Sequence, residues 1–230
     1  MATSLSGAIQ DAVGKLVRAF LDVVADDDGS PLRGRRADEV TIADRGIHIV
    51  DAPSIGETYL DILARHGLPE ITADGERNPR ENGASPAPSG TFAAWFAEVR
   101  VDAELGLVRV ARIVSAVDAG RILNEKLARS QMIGGAVMGI GMTLLEETVF
   151  DPETGRIANA TFGDYLIPAN ADVPDLDVVF VGTPDTVRPL GIKGMGEISG
   201  VGLSAAIANG VYHATGRRLR SLPITIEQLL

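Results

Sequence analysis

Four glycines fall within the apolar run from Met132 to Leu145, at Gly134, Gly135, Gly139 and Gly141. Each interior glycine costs a helix about 1 kcal/mol relative to alanine. A chain that keeps four of them in one segment must recover the loss by packing. The spacing predicts one long helix over 124–145 with other backbone resting closely against it. The apolar stretch from Met132 to Leu145 is too short to cross a bilayer, which takes about 20 residues, so the segment reads as an internal helix.

The remaining pattern is built around that helix. Val13, Leu16, Val17, Phe20, Leu21 and Val24 recur at helical spacing and predict an amphipathic helix over 9–24, ended by the acidic run Asp26 to Asp28 and Gly29. Residues 40–50 alternate around Asp44-Arg45-Gly46 and predict a short hairpin; residues 58–65 predict a helix stopped by Gly67. The segment 72–90 is rich in Pro, Gly, Asn and Ser and reads as an exposed connection. It separates an amino-terminal subdomain, residues 1–80, from a larger part, 81–230. There, 92–101 and 107–117 predict strands joined at Gly106, with a second hairpin over 147–158. Residues 177–181 read as a buried strand, and 198–215 as a helix of small residues stopped by Gly216. Together these elements specify an α+β fold, with mixed sheets carrying long Gly-rich helices, and not a doubly wound parallel sheet.

Composition removes several classes of function. With 230 residues and 45% hydrophobic content, a sizeable core can form. A net charge of -10 argues against a nucleic-acid or anionic-membrane surface. No cysteine is present, so disulfides, thiolate nucleophiles and cysteine-held zinc or iron–sulfur clusters are excluded from this chain. The start, Met1 to Gly7, lacks a basic segment followed by an apolar run. His48, His66 and His213 are dispersed without metal-ligand spacing. The Asp26 to Asp28 run reads as a solvated loop, and Met138 and Met142 as core fillers.

The densest chemical signal is Gly191-Ile-Lys-Gly-Met-Gly-Glu-Ile-Ser-Gly-Val-Gly202. Such a loop ahead of a helix can aim backbone N–H groups at an anion, or can be a tight turn and nothing more. Its spacing is neither that of a dinucleotide fingerprint nor that of a P-loop. Glu197 is the lone carboxylate within it. Burial would raise its proton affinity and suit it to accept a proton, whereas a place in the first turn of a helix would make it an ordinary dipole-stabilised glutamate.

The run Gly90 to Val101, then Val117-Asp-Ala-Gly-Arg-Ile-Leu-Asn124, Gln131-Met-Ile-Gly-Gly-Ala-Val-Met-Gly-Ile-Gly-Met142, Leu145-Glu-Glu-Thr148, Asp164-Tyr-Leu-Ile-Pro168, Lys193-Gly-Met-Gly-Glu197 and Ala206-Ile-Ala-Asn209 resembles, in order and spacing, the molybdenum hydroxylases. These are the xanthine dehydrogenases and aldehyde oxidases. The resemblance is to the bacterial branch with separate molybdopterin, FAD and iron–sulfur subunits. It implies the carboxy-terminal part of the molybdopterin-binding large subunit, with a fold of the molybdenum-cofactor-binding domain type. The implied cofactor is molybdenum–molybdopterin in the cytosine dinucleotide form. FAD and a 2Fe–2S cluster would be carried by partner subunits, and the missing amino-terminal part of the same subunit would be a further partner.

Carried over by position, the resemblance places Glu197 on the family's catalytic base, which takes up a proton as oxygen is transferred to an electron-poor carbon. Gln131 falls on a glutamine that hydrogen-bonds the pterin, as an amide that both donates and accepts can do. Met195 and Gly196 fall where backbone approaches the metal centre. Lys193 lies either near cofactor phosphate or on the surface. Ala2, Thr3 and Ser4 resemble a small-residue loop touching the cofactor from the other side. No side chain here is expected to ligate the metal. Asp118-Ala-Gly120-Arg121 resembles a family block of structural character, and Glu125 stands where a proline is usual.

The implied reaction is the oxidation of an aldehyde or an N-heterocycle by water-derived hydroxylation, catalysed by a cytoplasmic oxidoreductase, or a periplasmic one exported with a partner subunit. Family subunits are several times longer, so the isolated chain is expected to be incomplete. Two other readings stand beside this one. The first is a non-catalytic fragment or assembly domain that keeps the fold without bound cofactor. The second is an unrelated small-molecule-binding domain whose glycine loop holds a phosphate.

Overall fold

The computed structural model describes residues 2–76, 90–186 and 188–230. The chain divides into two compact units, Met1–Ser85 and Pro86–Leu230. Most of the connection expected over 72–90 lies outside the described residues.

In the first unit, α1 (Ala2–Val23) is longer than its apolar pattern suggested. Leu5, Ile9 and Val13 continue at a spacing of four, but that stripe is exposed, and the buried apolar side chains come further on with Phe20, Leu21 and Val24. Strands β1 (Val40–Ala43) and β2 (Gly46–Ile49) pair antiparallel, with Ala43 opposite Gly46. This leaves Asp44 and Arg45 as a two-residue turn, both at positive φ (43° and 61°), as a primed hairpin turn requires. Strand β3 (Ala52–Thr58), absent from the sequence expectation, adds on β2. Pro53 and Gly56 hide it, since both are poor strand formers, yet an edge strand tolerates them. Helix α2 (Tyr59–Arg65) is capped by Thr58, whose hydroxyl accepts from the Asp61 amide at 3.2 Å. Val24, Leu32, Ile47 and Ile62 are fully buried in the core of this unit.

In the acidic run after α1, Asp26 and Asp28 are exposed, as a solvated loop requires, but Asp27 is drawn into contacts. The Asp27 carboxylate bonds the Gly29 amide at 2.8 Å, Arg65 Nε at 2.6 Å and His66 Nε2 at 3.0 Å. The Gly29 amide and then the Arg65 guanidinium hold its proton affinity below the usual carboxylate range.

In the second unit, β4 (Phe92–Asp102) and β5 (Leu107–Asp118) form a long antiparallel pair turning at Gly106, φ 64°. After α3 (Glu125–Leu144), β6 (Asp175–Val181) returns parallel to β5, giving a mixed sheet in the order β4-β5-β6. Helix α4 (Leu203–Thr215) completes the layer. Val110 and Ile113 of β5 pack with Ala136 and Ile140 of α3 and with Leu203, Ile207 and Val211 of α4. The result is the α+β arrangement with Gly-rich helices expected from sequence.

Three expectations are corrected in this unit. The buried strand is an edge strand in which only Val178 is buried. The hairpin over 147–158 is present but shorter than expected: one bridge, Phe150–Ile157, flanked by the Asp151 amide donating to the Arg156 carbonyl and the Ala158 amide to the Val149 carbonyl, both at 2.8 Å. The last helix starts at Leu203 and not at 198, because Gly202 sits at φ 95°, outside helical geometry. Gly216 at φ 73° ends it where expected. Among the described residues, no helix is long and apolar enough to cross a membrane.

Candidate active site

The late start of α4 changes the setting of Glu197. It does not occupy a helical first turn; it stands in a turn of its own over 196–200, closed by the Gly200 amide donating to the Glu197 carbonyl at 3.0 Å. That turn lies on α3. A Cβ on Gly135 would overlap the Ser199 hydroxyl and come 2.5 Å from the Ser199 carbonyl carbon, so only glycine permits the contact. Gly139 is tight against Leu203, with a Cβ there 3.0 Å from its Cδ2, and Gly141 lies against Glu146 and Pro168. Gly134 differs from these three, because a Cβ there would meet nothing within 4 Å. Close approach therefore explains three of the four glycines, and the fourth borders open space.

That space is a cleft of about 710 Å³ whose walls include Leu127, Gln131, Gly134, Met138, Gly196 and Glu197. The Gln131 side chain donates from Nε2 to the Gly196 carbonyl at 2.8 Å, joining α3 to the turn across 65 residues of sequence. Glu197 is exposed in the cleft. A second cleft of about 460 Å³ lies beside the same turn, with Thr91, Gly194, Ile198 and Val201 in its walls. Thr91 donates its hydroxyl to the Gly194 carbonyl, tying the start of β4 to this loop.

The residues expected at the site are thus distributed unevenly. Gln131, Gly196 and Glu197 meet. Met195 points its apolar side chain into the cluster around Val117, Met132 and Val178, leaving its backbone as its contribution to the loop. Lys193 is engaged elsewhere: its ammonium lies 2.8 Å from Asp118 Oδ2, with both side chains mostly shielded. Lys193, and then the Gly120 amide, hold the Asp118 carboxyl below the usual range. The Arg121 amide donates to the Gly191 carbonyl at 2.8 Å, so the Asp118 to Arg121 block braces the loop. Ala2, Thr3 and Ser4 form the first turn of α1 in the other unit and are helical, where a loop was expected.

Two features escaped the sequence reading. Met138 and Met142 are 51% and 40% exposed and line the cleft, so they are not core fillers. Their four-residue spacing on the Gly134 side of α3 was the available signal. Ser199, only 2% exposed, donates its hydroxyl to the Gly196 carbonyl at 3.0 Å. Nothing in a glycine-rich turn marks one serine as an anchor.

Residues 1–174 match the family of the molybdopterin cofactor-binding domain. The chain belongs to that family. The matched stretch includes Gln131 and stops before the turn that carries Glu197. The aldehyde oxidoreductase molybdenum-binding subunit PaoC of Escherichia coli K12 is 47% identical over 141 residues, covering 61% of this chain and 19% of PaoC. The putative xanthine dehydrogenase molybdenum-binding subunit XdhA of the same organism is 34% identical over 170 residues, covering 70% and 23%. The crystal structure of quinoline 2-oxidoreductase from Pseudomonas putida 86 superposes with a TM-score of 0.72 at 26% identity, covering 94% of this chain and 28% of that one. The chain therefore spans about a fifth of the length of the curated relatives it matches.

The cleft suits part of the cofactor named by this family. Gly134 and Gly196 each leave room beyond their Cα atoms, with nothing within 4 Å of a Cβ. Gln131 keeps Oε1 as an acceptor once its amide nitrogen is committed to Gly196. Among the described residues no lysine or arginine lines the cleft, and Lys193 is paired with Asp118. The residues therefore fit the neutral ring portion of a pterin cofactor and offer no cation to its phosphate.

Proposed function

We propose that this chain supplies one wall of the active site of a molybdenum hydroxylase, with Glu197 as the proton acceptor and Gln131 and Gly196 as cofactor contacts. The observation that carries the reading is the meeting of Gln131, Gly196 and Glu197 in one cleft, joined by the Gln131 to Gly196 hydrogen bond. Molybdenum–molybdopterin, in the cytosine dinucleotide form, supplies the two-electron redox chemistry when bound. Glu197 accepts the proton released as substrate is oxidised, on a carboxylate carried by a braced turn. Gln131 orients the pterin edge through Oε1, and Gly196 lets the ligand come close to backbone. Leu127, Met138 and Met142 give the cleft an apolar wall against which an aldehyde or N-heterocycle can pack.

With no cysteine in the chain, electrons leave through iron–sulfur and FAD partner subunits, and the rest of the molybdopterin subunit completes the cavity in the cytoplasm. The first unit belongs to the cofactor-binding region as well. The test is elemental analysis of molybdenum and phosphorus on the assembled subunits, with and without Glu197→Gln. Molybdenum content is expected to stay near normal while turnover is lost. Retained turnover in the variant sinks the assignment of Glu197, and absence of molybdenum from both samples leaves a fold-only assembly domain.

A further inference from the structure

The Gly196 carbonyl accepts twice: from Gln131 Nε2 at 2.8 Å and from Ser199 Oγ at 3.0 Å. The next carbonyl, that of Glu197, accepts from the Gly200 amide at 3.0 Å. Both peptide planes that flank the Glu197 Cα are therefore tied, while its side chain stands exposed. The two anchors on Gly196 are unlike each other. Gln131 is itself exposed and reaches the carbonyl on a flexible stem. Ser199 is 2% exposed and pressed onto α3 at Gly135, where no side chain could be accommodated. A buried hydroxyl with a short stem loses little freedom in making its bond, so it holds its partner more rigidly.

We infer that Ser199 is a positioning residue for Glu197, acting through the Gly196 carbonyl, with Gln131 as the second arm of the clamp. The inference rests on the reading of Glu197 as the proton acceptor. A base must stand within hydrogen-bond reach of the proton it takes, and displacement of an ångström there costs rate steeply. Without Ser199, the Gly196–Glu197 peptide keeps only the exposed Gln131 arm, and the carboxylate swings with it. The clamp also fixes which way Gln131 faces, because a carbonyl can only accept and so demands the amide NH2.

The test is Ser199→Ala, read in two ways. In the 230-residue chain, amide exchange at Gly200 is expected to rise about ten-fold, the factor an ordinary hydrogen bond is worth. Exchange at Val117 and Val211, in the core, is expected to stay unchanged. In the cofactor-loaded assembly, kcat is expected to fall about three- to ten-fold with KM held within about two-fold, the range in which transition-state positioning separates from ground-state binding. The acid limb of the kcat profile should move as well. Unchanged Gly200 exchange, or an unchanged kcat and acid limb, overturns the inference. Glu197→Gln separates the two claims. If that variant is inactive while Ser199→Ala is silent, only the positioning role falls; if it turns over normally, the proton-acceptor reading falls and the positioning role with it.

Discussion

Lys193 Nζ lies 2.8 Å from Asp118 Oδ2, so the last residue of β5 holds the chain four residues ahead of Glu197. The pair is partly shielded, with 13% and 27% of the two side chains exposed. Removing Lys193 leaves the Asp118 carboxylate with only the Gly120 amide, at 3.0 Å, to compensate it. Lys193→Met is expected to cost about 1–2 kcal/mol of stability, below the range for a fully buried pair. The pair also sets a pH dependence. Asp118 is depressed in the folded state, so its contribution is complete above the unfolded carboxylate value of about 4. That contribution is lost as pH falls toward the lower folded value. Denaturant titrations from pH 6 down to pH 3 should show a flatter acid decline in Asp118→Asn than in the unaltered chain; equal slopes would show that the pair adds nothing.

Gly134 and Gly135, neighbours on α3, should respond to alanine in opposite directions. At Gly135 the new methyl would collide with Ser199, and the overpacking should cost about 1–3 kcal/mol. At Gly134 nothing stands within 4 Å, so better helix propensity should stabilise the chain by about 1 kcal/mol. The same methyl narrows the cleft, so Gly134→Ala is expected to be more stable alone and to retain less molybdenum after assembly. Thermal melts paired with metal analysis check both halves. A destabilised Gly134→Ala would mean that the cleft wall is packed, not open.

Helices α3 and α4, the β4-β5 hairpin and the turn at Asp44-Arg45 were legible because each is specified by neighbours in sequence: a continuous helical segment over 124–145, Gly216 at the stop of α4, Gly106 between two alternating runs, and Asp44-Arg45-Gly46 between two more. What sequence hid depends on contacts made at a distance. Strand β3 is disguised by Pro53 and Gly56 and exists because β2 supplies its partner. The start of α4 hinged on the backbone angle of one residue, Gly202, in a run where every glycine reads alike. Glu197 and Gln131 were found by resemblance, whereas their joining through Gly196 required the fold. Lys193 shows the opposite failure: a cation beside a glycine loop suggests phosphate, but its partner lies 75 residues back in the chain.

Ser115 offers a test of the sheet interior. It is fully buried on β5, opposite Trp95 on β4, and among the described residues neither Ser115 Oγ nor Trp95 Nε1 has a hydrogen-bond partner. A buried polar atom left unsatisfied costs about 1–3 kcal/mol. Ser115→Ala removes one such atom with little change in volume and is expected to stabilise the second unit by about 1 kcal/mol. Trp95, the single tryptophan, reports on that unit by fluorescence during denaturant unfolding. A loss of stability would mean that the hydroxyl is satisfied in solution.

The hairpin turn of the first unit gives the last prediction. Asp44 and Arg45 both occupy positive φ, which costs an L-residue about 1–2 kcal/mol and is eased for Asn and Asp, so most of the cost falls on Arg45. The two-residue primed turn they form favours Asn-Gly. The Arg45 carbonyl accepts from the Tyr59 amide at 3.1 Å, a main-chain bond that survives any change of side chain. The double change Asp44→Asn with Arg45→Gly is therefore expected to gain about 1 kcal/mol after the extra unfolded-state freedom of glycine is deducted. Amide exchange at Ile47, fully buried on β2, should slow about five-fold, the equivalent of that gain. Faster exchange would show that the Arg45 side chain stabilises the hairpin by more than its backbone strain costs.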